Sequence, residues 1–156
     1  MQSTEIKALF KAWKTGRKLY LNFFNDYSPG QLNKIPQGFS NNLIWNMGHA
    51  IITQQKVIYK GSNLEGYVSD DLFQKYQSGT KPTEPVSEEE IGELKTLLLS
   101  LIERTENDYD ANIFKSYTER VTGTGFHLSS IEDAFQCNNI HEGLHLGYMM
   151  SIRKFV

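Results

Sequence analysis

The sequence predicts an all-α protein: a four-helix bundle with a loop or small hairpin excursion before the last helix. Apolar residues recur at spacings of three, four and seven over four separate stretches, the period of one buried helix face. Each stretch opens on a Ser or Asn suited to capping, and segments bearing Pro and Gly lie between them. With 156 residues, 39% hydrophobic and 22% charged, the chain suits a single domain, residues 1–156, able to bury one core.

Ser3 is placed to cap a first helix whose stripe is Ile6, Leu9, Phe10, Trp13, Tyr20 and Phe24. The segment "YSPGQLNKIPQGFS" then breaks helical propagation with Pro29, Gly30, Pro36 and Gly38. Ser40 or Asn41 is expected to cap the second helix, which runs to about Tyr59 and is closed by Gly61. A short amphipathic piece, "DDLFQKYQSG", and the proline-bearing "TKPTEPVS" lead to Ser87 and Glu90, a capping box. The third helix follows, with Ile91, Leu94, Leu97, Leu98, Leu101 and Ile102 as its stripe. From Tyr117 to Leu128, β-branched residues and two glycines allow a small hairpin or an ordered loop. A second capping box, Ser129 with Glu132, opens the last helix, which runs to the C-terminus.

Composition excludes several functional classes. The net charge is −2, from 16 basic and 18 acidic residues. Neither sign gathers into a run that would track a polyanion, so nucleic acid is not an expected partner. No stretch approaches the roughly 20 apolar residues of a membrane span, and the charges at Glu5, Lys7 and Lys11 interrupt anything resembling a secretory leader. The lone cysteine, Cys137, permits no internal disulfide and fits a reducing compartment, so a cytoplasmic location is expected.

The chemistry concentrates in "NNIHEGLHLGYMM", residues 138–150. His141 and His145, four apart, lie on one face of a helix and can grip one cation. With Glu142 they spell the His-Glu-x-x-His pattern of zinc proteases. The protease reading fails on its third ligand: the extended motif needs glycine and histidine where Tyr148 and Ser151 stand, and none of the 11 residues after His145 is acidic. Glu142, about 100° off the ligand stripe, is a candidate base, but a salt-bridged or exposed glutamate is the commoner outcome there.

In a bundle the third ligand comes from a facing helix. His49, in "NNLIWNMGHA", is the only other histidine on an expected long helix, whereas His127 falls in a turn and reads as solvated. Asn42, Asn46 and Asn138 lie one or two turns from the ligands, where their carbonyls can fix an imidazole. Asn46 and Asn138 are the expected supports, and Asn42 reads equally well as a helix cap. Trp45 and Tyr148 are candidate pocket walls. Cys137, on the stripe of His141 and His145, is expected in the core beside Phe135 and Ile140 rather than on a metal.

These motifs resemble those of DinB-like proteins, the DinB/YfiT superfamily. "GFSNNLIWNMGHAIITQQ" is similar to that family's Trp-x-x-Gly-His segment, and "HEGLHLGYMMSIRK" to its closing His-x-x-x-His-x-Gly-x-x-x-x-x-Arg segment. The resemblance implies a four-helix bundle of unusual connectivity holding a divalent ion, commonly Zn or Ni, on His49, His141 and His145 with open coordination positions. Some relatives are S-transferases or isomerases that use a low-molecular-weight thiol, and most have no assigned reaction. Relatives of this size often pair, so a homodimer is expected. Thr53 stands where many relatives carry an acidic residue four after the first histidine. The functional expectation is a metalloenzyme performing hydrolysis or thiol transfer on a small substrate. Its alternative is a non-catalytic metal- or ligand-binding module in which the ion ties the second helix to the last.

Overall fold

The computed structural model describes residues 2–156. Its elements are α1 (Thr4–Asp26), α2 (Pro29–Asn33), α3 (Leu43–Gln54), α4 (Asp70–Tyr76), α5 (Glu88–Asp110), a two-stranded antiparallel hairpin of β1 (Arg120–Val121) and β2 (His127–Leu128), and α6 (Ile131–Ile152). A π-helical turn, Gln55–Tyr59, and a 3₁₀ turn, Lys60–Ser62, prolong α3.

The four long helices are α1, α3, α5 and α6. Both α1 and α3 pack against α5 and α6, so α1 lies diagonally opposite α3 and α5 diagonally opposite α6. Two of the connections between successive long helices therefore cross a diagonal, unlike a simple up-and-down bundle. The crossover from α1 to α3 carries α2, and the one from α5 to α6 carries the hairpin.

Local chemistry explains most boundaries. Ser3 accepts from the Ile6 N–H as the sequence predicts, and Ser87 accepts from the Glu90 N–H at 3.2 Å. The Glu90 carboxylate does not complete the expected box: it takes Lys75 Nζ and the Tyr76 hydroxyl, fastening α4 to α5. Three further expectations need correction. The loop after α1 contains a helical turn, α2, because Ser28 and Gln31 form a capping box around Pro29. Asn42, not Ser40 or Asn41, caps α3, its Oδ1 accepting from the Trp45 N–H at 2.9 Å. Ser130, not Ser129, caps α6; Ser129 donates its N–H and hydroxyl to Asp133, and Glu132 accepts from the Tyr109 hydroxyl.

The core has two apolar halves. One centres on Tyr20, Leu43, Ile51, Leu94, Leu98 and Met149; the other on Phe10, Trp13, Ile58, Tyr59, Leu128 and Phe135. A buried polar network runs through the bundle between them. The Arg17 guanidinium, 0% exposed, donates to both carboxylate oxygens of Glu142 at 2.7 Å, to the Leu98 carbonyl at 2.8 Å and to Gln54 Oε1 at 2.9 Å. Gln54 in turn donates to Thr105 Oγ1 and the Leu101 carbonyl. One guanidinium thus joins α1, α3, α5 and α6.

Candidate metal centre

Two helices bring the three histidines together. His49 projects from the buried middle of α3, and His141 and His145 from successive turns of α6. Each offers a ring nitrogen, and these nitrogens lie within 4.8 Å of one another. The ring centroids are 5.1, 4.8 and 4.5 Å apart.

Each orientation has a local cause. His49 Nδ1 lies 2.7 Å from the Tyr76 carbonyl. A carbonyl only accepts, so Nδ1 carries the proton and Nε2 keeps the lone pair, towards which the Thr53 hydroxyl is placed as a donor at 3.4 Å. Gly48 makes that approach possible: a Cβ there would come within 2.5 Å of Tyr76 Cδ1. The Trp45 ring lies flat on His49, with centroids 4.7 Å apart and planes at 8°. His145 Nδ1 lies 2.7 Å from Asn46 Oδ1. The Asn46 amide is oriented by its own Nδ2, which donates to the Asn42 carbonyl and to Asn41 Oδ1, so the oxygen faces His145, which donates to it and keeps Nε2 free. His141 has no such support, and its Nδ1 is buried without a hydrogen-bond partner.

Burial is also the main reason that all three imidazoles resist protonation. It pushes His141 down to about 3, with the neighbouring His145 and His49 adding to the effect. It pushes His145 down to about 4, His49 adding. His49 is lowered too, by burial first and by the Lys56 charge, against the opposing Tyr76 carbonyl. Near neutral pH the cluster is therefore three uncharged nitrogen donors, the state in which imidazole binds metal. Converging neutral imidazoles and an unpartnered buried Nδ1 fit a metal ion, and His49, His141 and His145 could hold one.

The remaining sequence candidates divide. Asn46 lies against the imidazole of His145. Asn138 does not: its Nδ2 donates to Glu142 Oε1 at 2.9 Å and its Oδ1 has no partner. Glu142 is not placed as a free base. It is buried, with Arg17, Trp13 Nε1 and Asn138 occupying its oxygens, because the helical offset that takes it off the ligand stripe turns it towards α1. Trp45 walls His49 itself and donates to Thr80 Oγ1. Tyr148 packs edge-on against Phe39, half exposed. Asn42 is a cap. Cys137 is buried with Phe135, whereas Ile140 is exposed. His127 lies at the surface beside Glu119.

Sequence reasoning missed the cavity. A space of ≈ 460 Å³ opens beside His141, between the π turn after α3, the β1–β2 hairpin and α6. Thr53, Lys56, Arg120, Phe126 and Asn138 are on its walls. Thr53 Oγ1 also lies 3.4 Å from His49 Nε2. Lys56, seven residues after His49, shares its helix face and was findable from spacing. Arg120 was not, because only the hairpin's tertiary position brings it there.

Fold and site together define a helical bundle with a three-histidine centre on two facing helices. The chain belongs to the DinB superfamily, whose sequence model matches residues 12–149. No curated protein matches the chain significantly. Among the described residues, no helix is long and apolar enough to cross a membrane.

Proposed function

We propose that this protein is a divalent-metal-dependent enzyme, with zinc or nickel on His49, His141 and His145, that performs hydrolysis or thiol transfer on a small substrate. The observation that carries the proposal is the convergence of three ring nitrogens within 4.8 Å, with one of the three residues, His141, on the wall of a ≈ 460 Å³ cavity. A divalent ion on three neutral imidazoles supplies Lewis acidity and lowers the pKa of a water or thiol. The chain's own contributions are separate. Asn46 and the Tyr76 carbonyl hold two imidazoles in the tautomer that frees Nε2, Trp45 shields one face of His49, and the hairpin walls a space large enough for a small molecule.

A purely structural ion has less to do. The Asn46–His145 hydrogen bond already joins α3 to α6, and the Arg17 network spans all four long helices. The lone cysteine and the absence of a membrane-spanning helix among the described residues are compatible with a cytoplasmic enzyme.

The test is metal analysis of protein purified without a nickel column, followed by hydrolysis and thiol-conjugation screens. Wild-type protein and His145→Ala are compared, each with and without chelator. Turnover that disappears on chelation and in His145→Ala is expected. A stoichiometrically loaded protein inert in both screens would favour a binding module.

A further inference from the structure

The walls of the cavity beside His141 carry an uneven set of charges. Lys56 projects from the π turn and Arg120 from β1, and no Asp or Glu is on the wall. Neither cation takes part in a salt bridge among the described residues, where Lys14, Arg17, Lys75 and His127 supply the positive partners. Two cations facing one space without a carboxylate make a positive field that low-dielectric walls concentrate. Those walls include Val57, Phe126 and Leu144, so the space also favours an apolar body.

A third feature gives the cavity a polar direction. Asn138 is 0% exposed and on the wall, and its Oδ1 is without a hydrogen-bond partner. The amide cannot turn over at no cost, because its Nδ2 donates to a Glu142 carboxylate already held by Arg17. The free atom is therefore a fixed acceptor. A buried acceptor without a donor costs stability, and a ligand N–H or O–H would supply one.

We propose that this cavity binds small molecules carrying an anionic group on an apolar body. Lys56 and Arg120 recognise the anion, and Asn138 Oδ1 accepts a hydrogen bond from the ligand. The assignment names the substrate class for the proposed enzyme, and it rests on that reading in placing the ligand's reacting end against His141.

The probes are indole-3-acetate, whose ring N–H can donate to Asn138 Oδ1, and its neutral isostere indole-3-acetamide, which keeps that ring donor. They are titrated into ¹⁵N-labelled full-length protein, zinc-loaded and chelated, while amide chemical shifts are followed. Shifts are expected on the hairpin and on α6 near Cys137 and His141, with the carboxylate binding about tenfold tighter than the amide in both metal states. Lys56→Gln/Arg120→Gln should erase that preference and leave amide affinity unchanged, with the protein's remaining spectrum intact. Equal affinities, shifts elsewhere, no binding up to about 10 mM, or a preference that survives the double substitution would overturn the proposal. A carboxylate preference present only with zinc and lost in His49→Ala, but indifferent to Lys56 and Arg120, would also overturn it while supporting the metal site. A preference that persists in chelated protein that never binds zinc would leave the anion site standing and the metal reading refuted.

Discussion

Replacing Arg17 by Met should be among the most damaging single changes in the protein, although Arg17 touches no metal candidate. The substitution keeps an unbranched side chain and removes the guanidinium. Glu142 would then retain only Trp13 Nε1 and Asn138 Nδ2 as donors, and the Leu98 carbonyl and Gln54 Oε1 would each lose a partner. Stripping one member from a buried ion pair costs about 3–5 kcal/mol, a large share of a typical total stability of about 5–15 kcal/mol. Glu142→Leu should cost a similar amount by stranding the guanidinium. Arg17→Met/Glu142→Leu removes both charges, so its cost should fall well below the sum of the singles. Urea unfolding followed by circular dichroism measures all three. A single-variant cost under about 1 kcal/mol, or additivity in the double variant, would refute the view that this pair is a mutually dependent buried unit.

Other substitutions probe the site through its supports. Asn46→Ala removes the acceptor that orients His145 and should weaken zinc binding about 10–100-fold in calorimetric titration, with little change in helix content. Gly48→Ala forces a Cβ to within 2.5 Å of the Tyr76 ring, so unfolding experiments should show a loss of about 1–3 kcal/mol. Its zinc affinity should fall as well, because the Tyr76 carbonyl that holds His49 moves. Glu142→Gln should lower stability by the ion-pair argument yet leave zinc stoichiometry unchanged in metal analysis, whereas loss of the metal would return Glu142 to the site. The chelated protein should also be acid-labile. Unfolded histidines protonate near 6.5, but His141 does so at about 3 and His145 at about 4 in the fold. Between those limits the unfolded state holds more protons, so stability falls as pH falls, by up to about 1.4 kcal/mol per histidine per pH unit. Urea midpoints at pH 7, 6 and 5 test this, and a flat profile would contradict it.

The three histidines were legible because their chemistry is rare and their spacing local: His141 and His145 four apart, with His49 on a facing helix. Asn46, one turn before His49, reaches across to His145 on α6, a pairing that spacing along α3 alone does not specify. Asn138 lies one turn before His141, but Glu142, four residues on, takes its amide Nδ2. Arg17 was the overlooked signal. It fills the gap in the first helix's stripe between Trp13 and Tyr20, where a charge can be buried only with a partner. The off-stripe Glu142 was that partner. Cap positions slipped because "SNN" and "SS" offer adjacent residues of equal capping chemistry, and only the packed backbone selects among them. The cavity was not legible at all, since a two-residue β-pair, β1 with β2, forms one wall and a π turn another.

The central claim is that His49, His141 and His145 bind one divalent ion together. The most direct measurement is zinc content and affinity, by elemental analysis and competitive titration, on wild-type protein, His49→Ala and His145→Ala purified without a nickel column. One tightly held ion per chain in the wild type and loss of stoichiometric binding in both variants is the predicted result. Retention of one ion per chain at unchanged affinity in both variants would contradict it.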